Sequence, residues 1–214
     1  MAQKTLIFDF DGTLADTFPL VVEVSYQLSG AKRLKKTEID KLRSLPLLQA
    51  VRKLGISRWH IPRLILKTRP SMYPHMSGVS PFPGIEDMLR QLYNDGHRLF
   101  VLSSNRRGNV WAFLRAQKMD HYFTDVVSVF YGNSFYKVYG MHKVLKRWRL
   151  KREDTYYIGN ETLDMHAAHR AGVKAVAVTW SGHTAADFAE YKPMAVVATP
   201  SELVDLFRSI ETIQ

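Results

Sequence analysis

The sequence has no cysteine among its 214 residues, so disulfide bonds and metal sites with thiolate ligands are excluded. It also has no apolar run close to the roughly 18–20 residues that a membrane-spanning helix needs. The stretch from Met1 to Asp11 does not have the apolar region of a secretory signal. We therefore expect a cytoplasmic protein that does not associate with membranes. Hydrophobic residues make up 46% and charged residues 23%, and a chain of this length holds one sizeable core with a small accessory module.

Acidic residues are scarce, since 20 Asp and Glu stand against 30 Lys and Arg, and the formal net charge is +10. The excess is concentrated between Asp16 and Phe82, where twelve basic residues accompany four acidic ones. A cationic surface raises the local concentration of anionic ligands, and a solvated helical face would have the same composition. Nucleic-acid binding is not favoured, because the segment has no recognised reader motif and no aromatic platform.

The spacing of apolar residues differs between two parts of the chain. Residues 17–78 repeat apolar residues at intervals of three and four, as in Leu20, Val24 and Leu28, which predicts helices. Residues 78–84 contain two Gly and two Pro and predict a linker. Beyond this linker, strand-like and helix-like segments alternate. Predicted strands cover residues 6–8, 99–102, 126–130, 155–158, 175–179 and 195–198, and predicted helices cover residues 85–94, 110–117, 138–148, 163–171 and 200–210.

Alternating strands and helices are typical of a Rossmann-like α/β fold with a doubly wound parallel sheet. The helical segment is then a small all-helical cap inserted after the first strand. We predict an α/β core of residues 1–15 and 80–214 and a cap of residues 16–79. Ligands of open parallel sheets bind beyond the carboxyl ends of the strands. The polar residues at those ends therefore define a candidate site, and they are Asp9, Asp11, Ser103, Lys137 (just before a predicted helix), Asn160 and Asp164.

Asp9 and Asp11 follow the first strand two residues apart, so their side chains point the same way from an extended backbone. Two such carboxylates repel unless a cation lies between them, and a hard divalent ion with oxygen ligands is suitable. One carboxylate can attack phosphorus as a nucleophile, and the other can act as general acid and then base. Gly12 lets the backbone turn so that neighbouring N–H groups meet an anion. An ordinary Asp-Gly turn after a strand would explain the pair by itself.

The other strand ends supply a hydroxyl, an ammonium and a carboxylate. Ser103 can donate to an anion, Lys137 can neutralise phosphoryl oxygens, and Asp164 can hold a metal, hold its water shell or orient Lys137. Each residue taken singly has a simpler explanation. Ser103 would serve as a turn or helix cap, Lys137 as a solvated side chain and Asp164 as a favourable helix-dipole charge. Their common position at strand ends favours the functional interpretation.

Four segments, in order along the chain, resemble the four motifs of the haloacid dehalogenase-like hydrolases. They are FDFDGTL at residues 8–14, FVLSSN at 100–105, FYK at 135–137 and YIGNETLD at 157–164. The segments AVTW at 177–180 and PSEL at 200–203 are similar to the tail of the phosphoglycolate phosphatase-like branch. The resemblance covers the whole core, about residues 1–14 and 80–214. The helical segment resembles the small cap of the family only by its position and type.

The resemblance implies a phosphatase that hydrolyses small-molecule phosphate monoesters through an aspartyl-phosphate intermediate, with Mg²⁺ as cofactor and a small phosphorylated metabolite as substrate. It implies Asp9 as nucleophile and Asp11 as general acid and base. The implied metal ligands are Asp9, Asp11 (through its backbone carbonyl), Asn160 and Asp164. The implied substrate-binding residues are Gly12, Thr13, Ser103, Ser104, Asn105 and Lys137. Of the two serines, Ser103 is preferred, because it lies seven residues after Gly96, as the hydroxyl of the motif usually does.

Asn160 departs from the family pattern, which usually has Asp at this position. An amide oxygen can still ligate Mg²⁺, but the site loses one negative charge, which the adjacent Glu161 is placed to compensate in part. We therefore expect weaker Mg²⁺ binding than in relatives with Asp. Two other interpretations stay open: a phosphomutase of the same fold, or a catalytically weakened phosphate-binding or regulatory protein. A dehalogenase is disfavoured by the second acid at Asp11, and a receiver domain by the large helical insert.

Overall fold

The computed structural model describes residues 3–29, 35–42, 45, 52–54, 59, 61–129 and 134–212. The strands are β1 (Thr5–Phe8), β2 (Arg98–Ser103), β3 (Phe123–Ser128), β4 (Thr155–Gly159), β5 (Lys174–Val178) and β6 (Ala195–Val197). The α-helices are α1 (Phe18–Ser29), α2 (Lys36–Asp40), α3 (Ile61–Met72), α4 (Ile85–Asn94), α5 (Arg107–Ala116), α6 (Ser134–Trp148), α7 (Thr162–Ala171) and α8 (Pro200–Thr212). Each predicted strand and each predicted core helix has a counterpart among these elements.

β1 lies inside a six-stranded, all-parallel sheet with the order β3-β2-β1-β4-β5-β6. The chain moves outward from β1 through β2 to β3, then returns to β4 on the other side of β1. The register pairs Phe8 with Val101 of β2 and with Ile158 of β4, so the carboxyl ends of these three strands lie side by side. The doubly wound α/β fold is confirmed, and the strand order changes direction at β1, where ligands of such sheets bind.

All four residues of β1 are buried, because helices cover both faces of the sheet. Leu6 and Phe8 belong to the apolar layer that also contains residues of α4, α5 and α8. Ile7 points to the opposite face and packs in the layer formed with α6 and α7. This explains why β1 is a continuous apolar run, and it places the residue after Phe8 at a firmly packed strand end.

The segment predicted to be helical is mostly helical where the structure describes it. It contains α1, α2, α3 and a 3₁₀ stretch at Tyr73–Gly78, and α1 packs against α3. The rest of the predicted cap lies largely outside the described residues, as does residue 130, the predicted end of the third strand. The boundaries of core (1–15 and 80–214) and cap (16–79) stay predictions. In the described part of the chain, every helix is too short or too polar to cross a bilayer.

Two helices begin earlier than their apolar periodicity predicted. α5 begins at Arg107 and not at residue 110, and α6 begins at Ser134 and not at residue 138. The first residues of both helices are polar or exposed, so they lack the buried apolar spacing from which a helix is predicted. The interpretation that Lys137 lies just before a helix is therefore wrong, because it lies inside the start of α6.

Gly140 in α6 is packed too tightly to accept a side chain. An ideal Cβ there would lie 2.5 Å from Leu102 Cδ1 and 2.7 Å from Val129 Cγ1. Helix propensity alone would make Gly140→Ala stabilising by about 0.5–1 kcal/mol. Overpacking of a buried site costs about 1–3 kcal/mol, so we expect the variant to be less stable than the wild type. Urea denaturation measures the free energy of unfolding of both proteins.

Gly108 in α5 is the matched control for Gly140. An ideal Cβ at Gly108 would meet the Tyr73 ring at 3.7 Å, which is ordinary van der Waals contact. Gly108→Ala should leave the free energy of unfolding unchanged or raise it slightly. If Gly140→Ala behaved in the same way, the close packing of α6 on β2 would be contradicted.

Candidate active site

Asp9 continues β1 beyond its last residue and is buried at the carboxyl end of the sheet. Its backbone N–H donates to the carbonyl of Ile158 at 2.8 Å, which holds it in the ladder with β4. Its Oδ2 lies 3.2 Å from Nζ of Lys137 in α6, and the same ammonium forms a short ion pair with Oδ1 of Asp164 in α7. The three residues are 5, 3 and 0% exposed, respectively. The structure thus brings three predicted site residues into one buried cluster.

Burial and charge act against each other in this cluster. Burial raises the pKa of Asp9 well above its ordinary value of 3.8, against the attraction of Lys137, and the charges of Asp164 and Asp11 add to the rise. Burial by itself would lower the pKa of Lys137, but the carboxylates of Asp164 and Asp9 raise it well above 10.5. Lys137 is therefore a fixed positive charge beside Asp9 at neutral pH, which suits the binding of an anion there.

Asp11 points toward the end of β2 and the start of α1. Its Oδ1 accepts hydrogen bonds from Thr17 Oγ1 at 2.7 Å and from Asn105 Nδ2 at 3.0 Å, and its Oδ2 accepts from Ser103 Oγ at 3.4 Å. Ser103 Oγ itself accepts from the backbone N–H of Asn105 at 2.9 Å. Ser103 is thus the serine that contacts this aspartate. The hydrogen bonds of the described residues include none from Ser104 to Asp11.

Asn160 packs on the turn at Gly12. Gly12 has a φ of +80°, and an ideal Cβ there would lie 2.4 Å from Asn160 Nδ2, so both the backbone angle and the space require glycine. Thr13 Oγ1 donates to Asn160 Oδ1 at 3.1 Å, and Asn160 Nδ2 donates to Ser181 Oγ at 3.1 Å. Trp180 Nε1 donates to the carbonyl of Thr13 at 2.9 Å. The Asn160 amide is therefore held from two sides.

Sequence reasoning missed Thr17 and Ser181. Both are buried polar residues with hydrogen bonds to predicted site residues. Ser181 comes three residues after the end of β5, so its place at a strand end was the signal that could have found it. Thr17 carried no such signal, because it lies just before α1 in the segment assigned to the cap.

Both carboxylate oxygens of Asp164 have partners within the protein. Oδ1 pairs with Lys137, and Oδ2 accepts from the backbone N–H of Glu161 at 3.0 Å. A Cβ at Gly159 would lie 2.3 Å from that Oδ2, so the side chain lies directly over the end of β4. Three roles were predicted for Asp164, and this geometry favours the one in which Asp164 orients Lys137. The role of Asp164 as a metal ligand stays a prediction. Glu161 is a further, partly buried carboxyl, and desolvation raises its pKa, opposed by the charge of Lys137.

Residues in and next to the turn that follows β1 carry hard oxygen atoms that could hold a cation. They are the carboxylate of Asp9, the backbone carbonyl of Asp11 and Oδ1 of Asn160, which packs on the turn. Among the described residues, no three His, Cys, Asp or Glu side chains converge as a metal site. A cation here would therefore depend on the amide and the backbone carbonyl as well as on carboxylates. This donor set fits Mg²⁺, which binds few protein ligands and keeps several of its waters.

Several known proteins resemble this chain over most of its length. The family model described as haloacid dehalogenase-like hydrolase matches residues 6–178. A phosphoglycolate phosphatase from Synechococcus elongatus is 31% identical, over 94% of this chain and 95% of that protein. The pyrophosphatase PpaX from Bacillus mycoides is 24% identical, over 98% and 99% of the two chains. A solved haloacid dehalogenase-like family protein from Streptococcus pneumoniae superposes with a TM-score of 0.78 at 22% identity, over 96% and 98% of the chains.

Proposed function

The chain belongs to the haloacid dehalogenase-like hydrolase family, and we propose that it is a Mg²⁺-dependent phosphatase in which Asp9 is the nucleophile toward small phosphate monoesters. The observation that supports this most is the buried cluster in which Lys137 contacts both Asp9 and Asp164. A cation fixed beside a carboxylate can hold a phosphoryl group where that carboxylate attacks it. The names of two relatives, a phosphoglycolate phosphatase and a pyrophosphatase, support phosphoryl chemistry.

In the first step, a carboxylate oxygen of Asp9 attacks phosphorus in line, and the bond from phosphorus to the leaving oxygen breaks. Lys137 neutralises charge on the phosphoryl oxygens, which lowers the energy of the transition state. The Ser103 hydroxyl is proposed to turn from Asp11 to the same oxygens. The backbone N–H groups of Gly12 and Thr13 donate to the carbonyls of Ala15 at 3.0 Å and Phe10 at 3.3 Å, which stabilises the turn beside the site. The product of this step is an aspartyl-phosphate at Asp9.

Asp11 is proposed to move the protons of both steps. It first gives a proton to the leaving oxygen, and it then takes a proton from the water that hydrolyses the aspartyl-phosphate. The hydrogen bonds from Thr17 and Asn105 fix the direction of its carboxylate. A fixed direction matters because a general acid has to lie within hydrogen-bond reach of the leaving oxygen.

Asp9, the Asp11 carbonyl and Asn160 are proposed to hold Mg²⁺. The bound ion would add positive charge next to the phosphoryl oxygens. Asn160 supplies a neutral oxygen where the family usually has a carboxylate, and its amide hydrogen-bonds to the hydroxyls of Thr13 and Ser181.

Asn160→Asp is expected to tighten Mg²⁺ binding by about tenfold, because an anionic oxygen replaces a neutral one beside the ion. Ser181 can donate to the new carboxylate, so the change should not disturb the fold. Isothermal titration calorimetry with Mg²⁺ alone measures the affinity without any need for turnover. The exposed Asn94, replaced by Asp, is a control with the same change of charge. Equal affinities in wild type and Asn160→Asp would contradict the expected weak metal binding.

We further propose that residues 16–79 form a cap that selects the substrate, over a core of residues 1–15 and 80–214. The basic composition of the cap favours a small phosphoester with an additional negative charge. Phosphoglycolate, the compound in the name of one relative, has this property, and pyrophosphate, in the name of another, is an anhydride that also carries additional negative charge.

A phosphatase screen tests the proposed function. The panel contains phosphoglycolate, pyrophosphate, several sugar phosphates and 4-nitrophenyl phosphate, each with Mg²⁺ and with a chelator. We expect release of inorganic phosphate only when Mg²⁺ is present. Phosphorus NMR that showed an isomerised sugar phosphate instead would favour the phosphomutase. Absence of turnover across the panel would contradict the proposal and favour a phosphate-binding protein that has lost activity.

A further inference from the structure

Asn109 lies in α5, outside the four motif segments, and only 1% of it is exposed. It uses its amide group to join two separate parts of the molecule. Nδ2 lies 2.7 Å from the carbonyl of Arg69, in the last turn of α3, and 2.8 Å from Oδ1 of Asn105, just after β2. Both amide hydrogens therefore have acceptors.

The direction of this chain of hydrogen bonds is fixed at both ends. The carbonyl of Arg69 can only accept, so Asn109 has to present its NH₂ group. Oδ1 of Asn105 also accepts from the backbone N–H of Arg106 at 2.8 Å, and a backbone N–H can only donate. Asn105 therefore has to present its own NH₂ group to Asp11, at 3.0 Å. The opposite amide orientation would place an oxygen against the Asp11 carboxylate.

We propose that Asn109 is a positioning residue for Asp11, acting through Asn105. The proposal rests on the proposed role of Asp11 as general acid. Asn109 does not touch Asp11, but it holds Asn105 in the orientation that directs a donor at the acid. Without Asn109, Asn105 Oδ1 keeps only the Arg106 N–H as a partner, and the side chain can turn away from Asp11.

The same amide also ties Asp11 to the end of α3. Asn109 Nδ2 donates to the carbonyl of Arg69 in the last turn of α3, so it attaches this helix end to the core. α3 belongs to the segment that we propose as the cap. The hydrogen-bonded chain from Arg69 through Asn109 and Asn105 thus links the cap side of the molecule to the orientation of Asp11.

The test compares two substrates that differ mainly in the basicity of the leaving group, 4-nitrophenyl phosphate and phenyl phosphate. The nitrophenolate leaves readily without a proton, whereas phenolate depends more on a general acid. Asn109→Leu keeps a similar volume but cannot donate. We expect it to lower kcat/KM for phenyl phosphate about tenfold more than for 4-nitrophenyl phosphate, since general acid catalysis contributes 10²–10⁴-fold and only part of it is lost.

Gln117→Leu is the matched control. Gln117 follows α5 and donates from Nε2 to the carbonyl of Val79 at 3.0 Å, so it also joins this part of the core to the end of the helical segment by an amide. It is not part of the chain that leads to Asp11. We expect Gln117→Leu to leave the ratio of the two kcat/KM values at the wild-type level, even if it lowers the thermal stability.

Asp11→Asn serves as the reference, because it removes the acid itself and should change the ratio most. If Asp11→Asn changes the ratio and Asn109→Leu does not, the positioning role is wrong while the proposed function stands. If Asp11→Asn leaves the ratio unchanged, the general-acid role is wrong and the inference falls with it. Circular dichroism confirms that each variant is folded. Asn109→Ser, which is too short to reach both acceptors, decides the question if Asn109→Leu does not fold.

Discussion

Turnover by the Asp9→Asn variant is expected to fall by at least about 10³-fold, because an amide cannot replace the anionic oxygen that attacks phosphorus. The fold should persist, since burial of the Asp9 carboxyl is unfavourable for its charged form and an amide removes that cost. Lys137 keeps its contact with Asp164 in the variant. Initial rates with 4-nitrophenyl phosphate and Mg²⁺, together with a thermal melt, separate loss of chemistry from loss of structure.

Asp87→Asn is the control for this substitution. Asp87 lies in the first turn of α4, is exposed and pairs with Arg90 at 2.7 Å. The same change of charge and shape there should leave turnover at the wild-type rate. A near wild-type rate for Asp9→Asn would overturn the assignment of the nucleophile, and a melting temperature far below that of the wild type would show that the loss of activity came from unfolding.

Lys137→Met is expected to have the largest effect on stability. Methionine has a similar length but no charge, so the substitution leaves Asp9 and Asp164 buried without their cation. Breaking a buried ion pair in this way costs about 3–5 kcal/mol of unfolding free energy. Activity should also fall by about 10²–10³-fold, because the charge that stabilises the phosphoryl oxygens is lost. Urea denaturation and initial rates measure the two losses.

A second substitution separates these effects of Lys137. Adding Asp164→Asn to Lys137→Met removes one of the unpaired carboxylates, so stability should recover in part while activity stays low. Because burial raises the pKa of Asp9, the Asp9 carboxyl of Lys137→Met takes up a proton easily, and the destabilisation should be smaller at about pH 5 than at pH 7. Lys146→Met, on the exposed face of the same helix, should change the free energy of unfolding little. An equally small change for Lys137→Met would contradict the buried ion pair.

The strands and the strand-end residues were predictable because both depend on local pattern. β1 is a short apolar run that ends at Asp9, and strands buried on both faces have this composition. Helix starts were less predictable. α5 and α6 begin with polar or exposed residues, so periodicity placed their first residues three and four positions too late. For Lys137 the error matters, since its first-turn position in α6 is what directs it toward Asp9.

The pairing of side chains within the site was only partly predictable. Residues at the carboxyl ends of neighbouring parallel strands have to lie close together, so the approach of Asp11 and Ser103 follows from the fold. Which group each oxygen binds does not follow. Asp164 had three predicted roles, and the structure shows it paired with Lys137.

The sequence by itself determined the α/β class, the parallel sheet and the strand ends that carry Asp9, Asp11 and Asn160, because apolar periodicity and chain order are local properties. Tertiary structure alone decided that Asn109 joins α3 to Asn105 and that Gly140 leaves no space for a methyl group. These features depend on contacts between segments that are distant in the chain, and no local pattern encodes which atoms will meet once the sheet and its helices are packed.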